Sequence, residues 1–178
     1  ISGTALLIPQ RCGLIGMEIN LYCSPKSKRI DGRHRKDRKK MKQIVLVSCV
    51  SKKRLIPSLA SDLYISDWFM KASAYARMKA DQWFILSAKY GLLPPDQIIE
   101  PYNETLKTMS IQGRRYWARR VRFELEKILR PGDKVIFLAG ESYREFLVDP
   151  IQRMGCEVSV PMEGLRIGEQ MQWLNQQL

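Results

Sequence analysis

Residues 44–49 read IVLVSC, an unbroken run of large aliphatic side chains closing on a serine and a cysteine. Continuous rather than alternating hydrophobicity marks a strand covered on both faces, so this run predicts a central strand of a layered α/β sheet. Three later segments repeat the theme: WFILSA at 83–88, KVIFLAG at 134–140 and CEVSVP at 156–161. Between them the period changes. Leu63, Trp68, Phe69, Ala72, Tyr75 and Ala76 predict a helix that starts near Ser66 or Asp67 and reaches Ala80. Ser110 caps a second helix running to about Leu129, with Trp117, Val121, Leu125 and Ile128 on its core side, and Pro131, Gly132 and Asp133 end it. Residues 142–154 and 164–177 supply two more helices. Strand and helix alternate four times, which predicts one three-layer α/β domain over residues 43–178, a mainly parallel four-stranded sheet with helices on both faces. The stretch from Lys89 to Met109 holds Gly91, Pro94, Pro95 and Pro101 and reads as an irregular excursion.

Composition bounds what such a domain does. The chain has 178 residues, 45% of them hydrophobic and 27% charged, with a formal net charge of +12. No window approaches eighteen consecutive apolar residues, which excludes a helical membrane span. The positive balance favours a polyanionic partner, DNA or RNA before others. It is uneven: eleven basic and three acidic side chains fall within residues 1–42. That front end, with KSKR and RHRKDRKK, reads as a disordered nucleic-acid-binding arm, a targeting sequence, or an untranslated leader with Met41 or Met17 as the natural start. Cys12, Cys23, Cys49 and Cys156 form no CxxC pair and His34 is the single histidine, so neither a zinc site nor a disulfide framework is expected, and a reducing cytoplasm is the simplest setting. Walker, GxGxxG and HExxH motifs are absent, which excludes a P-loop nucleotide hydrolase; a metal or cofactor is not expected.

In open α/β sheets ligands sit beyond the carboxyl ends of the strands, and here those ends are polar. Ser48, Cys49, Lys52 and Lys53 follow the first strand, Ser87, Lys89, Tyr90 and Gly91 the second, and Gly140 and Tyr143 the third. Lys52, Lys53 and Lys89 either contact anions, with a desolvated amine serving as base or nucleophile, or are solvated loop lysines. Tyr90 and Tyr102 either stack on a base or close the core over Pro94 and Pro95. Glu100, beside Pro101 and Tyr102, is the loop carboxylate for acid/base work or ribose binding. On the long helix Arg115, Arg119 and Arg122 share one face, either to track phosphates or as a solvated face paired with Glu124 and Glu126.

Four stretches carry a family resemblance: VLVSCVSKK at 45–53, DLYISDWFMKASAYA at 62–76, WFILSAKYGLLPPDQIIEPYNETL at 83–106 and GLRIGEQMQWL at 164–174. Together they resemble a bacterial and phage family, domain of unknown function 6884, over nearly all of 43–178. More distantly the SAKYGLL…EPY block is similar to the peroxide-stress protein YaaA, a DNA-binding protein, and SCVSKK to the core domain of archaeosine synthase, a tRNA-base-modifying enzyme. The resemblance implies a uracil-DNA-glycosylase-like architecture and a nucleobase context for Ser48, Cys49, Lys52, Lys53, Ser87, Lys89, Tyr90, Gly91, Pro101 and Tyr102. Where the archaeosine-synthase motif continues into Tyr, Ser and His, this chain has Arg54, Leu55 and Ile56. The expectation is a nucleic-acid-associated protein with a nucleobase or nucleotide cleft and base-modifying or base-releasing chemistry; the alternative is a non-catalytic accessory module binding a nucleotide or a protein.

Overall fold

The computed structural model describes residues 40–178. In chain order they form β1 (Gln43–Ser48), β2 (Ser58–Leu59), α1 (Ala60–Leu63), α2 (Asp67–Lys79), β3 (Gln82–Ser87), β4 (Gly91–Leu93), β5 (Ile98–Ile99), α3 (Ile111–Leu125), β6 (Lys134–Leu138), α4 (Glu141–Arg144), α5 (Val148–Arg153), β7 (Glu157–Ser159) and α6 (Ile167–Gln177). A turn of 3-10 helix at Leu106–Thr108 joins β5 to α3.

The main sheet has the order β4-β3-β1-β6-β7, with β1 in the middle. β1 pairs in parallel with β3 on one side and β6 on the other, and β7 continues the parallel set. Ile44, Val45, Leu46 and Val47 are fully buried, as a strand covered on both faces requires. From β1 the chain steps to β3, then returns across β1 to β6 and onward to β7. Right-handed crossovers in opposite directions put α2 on one face and α3 with α5 on the other. Ser66 Oγ accepts the Phe69 N–H at 3.2 Å and Ser110 Oγ accepts the Gly113 N–H at 3.2 Å, the two caps the sequence predicts.

The sheet has five strands, not four. β4 is antiparallel to β3 and comes from the stretch that reads as irregular. Gly91, at φ 81, starts it in a conformation that L side chains rarely adopt, and the three buried residues of β4 are too few to show a period. β5 pairs with β2 in a separate two-stranded ribbon. Residues 142–154 do not form one helix. Unbroken, it would carry Pro150 in its interior against the carbonyl of Phe146; instead α4 stops and α5 starts at Val148, with Pro150 in its first turn. The last helix begins at Ile167, because Gly164 at φ 75 cannot be helical, and the Arg166 N–H donates to Glu169 Oε2 at 2.6 Å.

The basic front end, through residue 39, lies outside the described residues. Residues 40–42, grouped with it by charge, are tied to the sheet: the Lys42 N–H donates to Asp133 Oδ1 at 3.0 Å and Lys40 pairs with Asp81 at 3.3 Å. Among the described residues no helix is long and apolar enough to cross a membrane.

Candidate functional site at the carboxyl edge

The connections leaving β1 and β6 run in opposite directions, so the topological switch point lies between the carboxyl ends of these two strands. Cys49 follows one and Tyr143, in α4, follows the other. Their Sγ and Oη atoms are 3.2 Å apart. Ser87, the last residue of β3 and fully buried, places Oγ 2.7 Å from Tyr102 Oη, which is 2.8 Å from Tyr64 Oη. The Tyr90 N–H donates to Ser87 Oγ at 3.0 Å. Trp117 of α3 backs the cluster: its Nε1–H donates to the Ser87 carbonyl at 2.8 Å and its ring meets Tyr143 edge-on at 5.7 Å. Three strand ends and the excursion between β3 and α3 thus meet in one side-chain network, and no buried side-chain N or O atom among the described residues lacks a partner.

Lys53 lies over this network. Its Nζ is 4.4 Å from the Tyr102 ring centroid and 5.7 Å from that of Tyr64. A β-bridge pairs Lys53 with Tyr64, and the flanking bonds from the Arg54 N–H to the Leu63 carbonyl at 2.8 Å and from the Ile65 N–H to the Lys52 carbonyl at 3.1 Å hold it there. Among the described residues no carboxylate pairs with Lys53. Burial pulls the pKa of its amine below the usual lysine value, and the charge of a Cys49 thiolate would oppose that. Burial, and then the neighbouring Cys49, pushes the Tyr64, Tyr102 and Tyr143 hydroxyls well above the ordinary tyrosine value. At neutral pH the three are therefore uncharged hydrogen-bond partners, and Lys53 is a partly desolvated amine set over them.

The other expected residues divide. Tyr90 meets Tyr102 edge-on at 5.4 Å, and Lys89 Nζ is 5.3 Å from the Tyr90 ring, so both border the cluster. Ser48 is buried at the end of β1 and Pro101 is half-buried beside Tyr102. Lys52 is exposed. Glu100 is exposed after β5 and makes no hydrogen bond or ion pair among the described residues. Gly140 precedes α4, where its carbonyl accepts the Tyr143 N–H at 3.0 Å. Gly91 faces elsewhere: a Cβ there would lie 3.6 Å from the side chains of Arg120 and Glu124 of α3. Its positive φ starts β4. Tyr64 is absent from the expected set; its signal was an aromatic residue between Leu63 and Ile65 just ahead of the Ser66 cap. Among the described residues no three His, Cys, Asp or Glu side chains gather as a metal site.

Two shallow hollows among the described residues lie away from this cluster. One is a shallow groove lined by Arg115, Ala118, Arg119, Arg122, Phe146 and Pro150, which gathers the predicted arginine face against the break between α4 and α5. Arg115 lies 5.3 Å from the Phe146 ring, and Arg122 pairs with Glu126 at 3.2 Å. Glu124 instead accepts the Leu92 N–H at 3.1 Å. The other hollow is at the amino edge, between Lys40, Lys42, Arg130 and Asp133.

The sequence model of a family described as Family of unknown function (DUF6884) matches residues 44–176. The chain belongs to this family. The DUF6884 match opens inside β1 and closes in the last turn of α6, so it spans the whole sheet with its edge cluster and leaves out the basic front end. The chain is also 30% identical over 143 residues to the uncharacterized protein YfjM of Bacillus subtilis (strain 168), an alignment covering 76% of this chain and 94% of that protein. No solved structure matches.

Proposed function

We propose that this DUF6884 protein binds nucleic acid, gripping the phosphate backbone along the arginine groove of α3 and holding a nucleobase or nucleotide against the rim formed by Lys53, Tyr90 and Tyr102. The observation that carries this reading is that one short segment borders both places. Tyr143 of α4 reaches Cys49 in the edge cluster, and Phe146, just past the end of α4, lines the groove with the three arginines. A strand lying in the groove is led toward the rim. Cationic side chains interleaved with aromatic rings suit a phosphate chain carrying flat bases.

Base modification or base release is the chemistry proposed for this rim. Of the three lysines at the strand ends, Lys53 takes the catalytic part, because its amine is partly desolvated over two tyrosine rings and no carboxylate among the described residues pairs with it. Lys52 and Lys89 are left as anion contacts. The uracil-DNA-glycosylase-like architecture and the likeness to YaaA and archaeosine synthase belong to the same proposal, as does a reducing cytoplasm, which suits the free thiols of Cys49 and Cys156.

The test is fluorescence anisotropy with labelled single-stranded DNA and RNA oligonucleotides across a salt series. Affinity is expected to fall steeply with salt, and replacing Arg115, Arg119 and Arg122 together by Ala should reduce the slope of log affinity against log salt by about 2. An unchanged slope removes the groove from the reading. Absence of binding to both oligonucleotides overturns it.

A further inference from the structure

The loop after β1 reads VSKKRLIPSL over residues 50–59: three consecutive cations, then three apolar residues, and no acid. Its tip faces solvent, with Leu55 93% exposed and Ile56 63% exposed. Adjacent large aliphatic side chains this exposed form an apolar patch, and a patch rimmed by polar residues marks a contact surface. The tip is nonetheless anchored at both ends. The Arg54 N–H donates to the Leu63 carbonyl at 2.8 Å, Ser58 pairs with Ile99 across the β2–β5 ribbon, and Ser58 Oγ donates to the Ile56 carbonyl at 3.1 Å. Ile98, paired with Leu59, is 70% exposed and widens the apolar base. What projects is a braced apolar wedge rather than a loose end, so little ordering is left to be done when it meets a partner.

Its neighbours say what the partner is. Lys52, Lys53 and Arg54 precede the wedge directly, and Lys53 is the residue over the tyrosine cluster. A partner that sets anionic groups beside apolar faces complements this tip, and a nucleic-acid step does so, with phosphates on the outside and base faces within. We propose that Leu55 and Ile56 insert between neighbouring bases and unstack them, while Lys52 and Arg54 hold the flanking phosphates, delivering a loosened base to the Lys53 rim. This rests on the nucleic-acid reading above and adds to it a way of opening the stack. Apolar wedges that part base steps are an established device of nucleic-acid-binding proteins.

The experiment uses the full chain and a DNA or RNA duplex carrying 2-aminopurine at a flexible step, with anisotropy and 2-aminopurine emission read from one titration. At saturating wild-type protein the emission should rise about threefold as the base unstacks, and with Leu55→Ser and Ile56→Ser combined the rise should vanish while the salt slope of binding stays unchanged. Both positions are exposed, and an unaltered thermal melt confirms that the variant folds. Tight binding without a rise in emission, or an equal rise in the Ser variant, overturns the wedge and leaves the nucleic-acid reading standing. If wild type binds neither duplex, the wedge is overturned, and the nucleic-acid reading falls with it only if the single-stranded oligonucleotides are not bound either. If wild type ignores both duplexes and binds phosphatidylcholine–phosphatidylserine vesicles through Leu55 and Ile56, the tip serves a lipid surface and the wedge is overturned.

Discussion

The two edges of the sheet use their polar side chains in opposite ways. At the amino edge, carboxylates are consumed by the backbone: Asp133, only 4% exposed, accepts the Lys42 N–H at 3.0 Å and the Arg130 N–H at 2.9 Å, and Asp81 accepts the Gln43 N–H at 2.8 Å. At the carboxyl edge, hydroxyls and a thiol bond mainly to each other, and the amine of Lys53 has no acidic partner among the described residues. One edge closes the fold, and its groups have no further work. The other gathers buried hydroxyls and a thiol beside a partly desolvated amine, and sites of that composition are where chemistry is to be sought.

The comparison can be broken most forcefully with alkali. Tyr64, Tyr102 and Tyr143 keep their protons in the folded chain beyond the pH at which an unfolded tyrosine loses its own. Their contribution to stability is therefore complete below about pH 10 and is lost as pH rises above it, by about 1.4 kcal/mol per pH unit for each tyrosine. Denaturant unfolding followed from pH 8 to pH 11 should show this limb, and Tyr143→Phe should remove its share of the slope. A flat profile would mean that the carboxyl edge is open to water and not the network described.

The next largest effect belongs to the amino edge. Asp133→Ala removes the shared acceptor of two part-buried backbone N–H groups and should cost about 2 kcal/mol of stability in denaturant melts. Oligonucleotide affinity measured below the melting range should stay at the wild-type value. Weakened binding at unchanged stability would erase the division of labour between the edges.

The smallest expected change is the one that sharpens the contrast. Lys53→Met keeps an unbranched stem and deletes both the cation–π contact with Tyr102 and a charge that burial disfavours, so stability should move by less than about 1 kcal/mol. Product formation, followed by mass spectrometry of a bound oligonucleotide, should disappear. A Lys53→Met chain that turns over like wild type would reduce the rim to a binding surface, the non-catalytic alternative.

How far the sequence foretold this depends on how much of each element's signal is local. β1, β3 and β6 are legible because each carries an unbroken run of large apolar side chains, which a strand covered on both faces needs. The caps at Ser66 and Ser110 were legible because a side-chain cap acts within three residues. β4 was not: three residues between a glycine and a pair of prolines look the same in a loop and on a sheet edge, and only pairing with residues 85–87 makes them a strand. The site divides along the same line. Cys49, Lys53, Ser87 and Tyr143 could be found because they follow strands directly. Tyr64 could not, because its place beside Tyr102 depends on a bridge to Lys53 that no spacing encodes. Gly91 is ambiguous for a similar reason, since a glycine that frees a backbone for a ligand and one that bends it into a strand read alike.

Trp117 gives the molecule a native optical gauge. Its indole is buried, tethered to the end of β3 and set edge-on to Tyr143, whereas Trp68, Trp83 and Trp173 belong to α2, the start of β3 and α6. With those three replaced by Phe, the emission colour and lifetime of the remaining indole would register any guest that disturbs Ser87 or Tyr143, so occupancy could be followed with no dye attached.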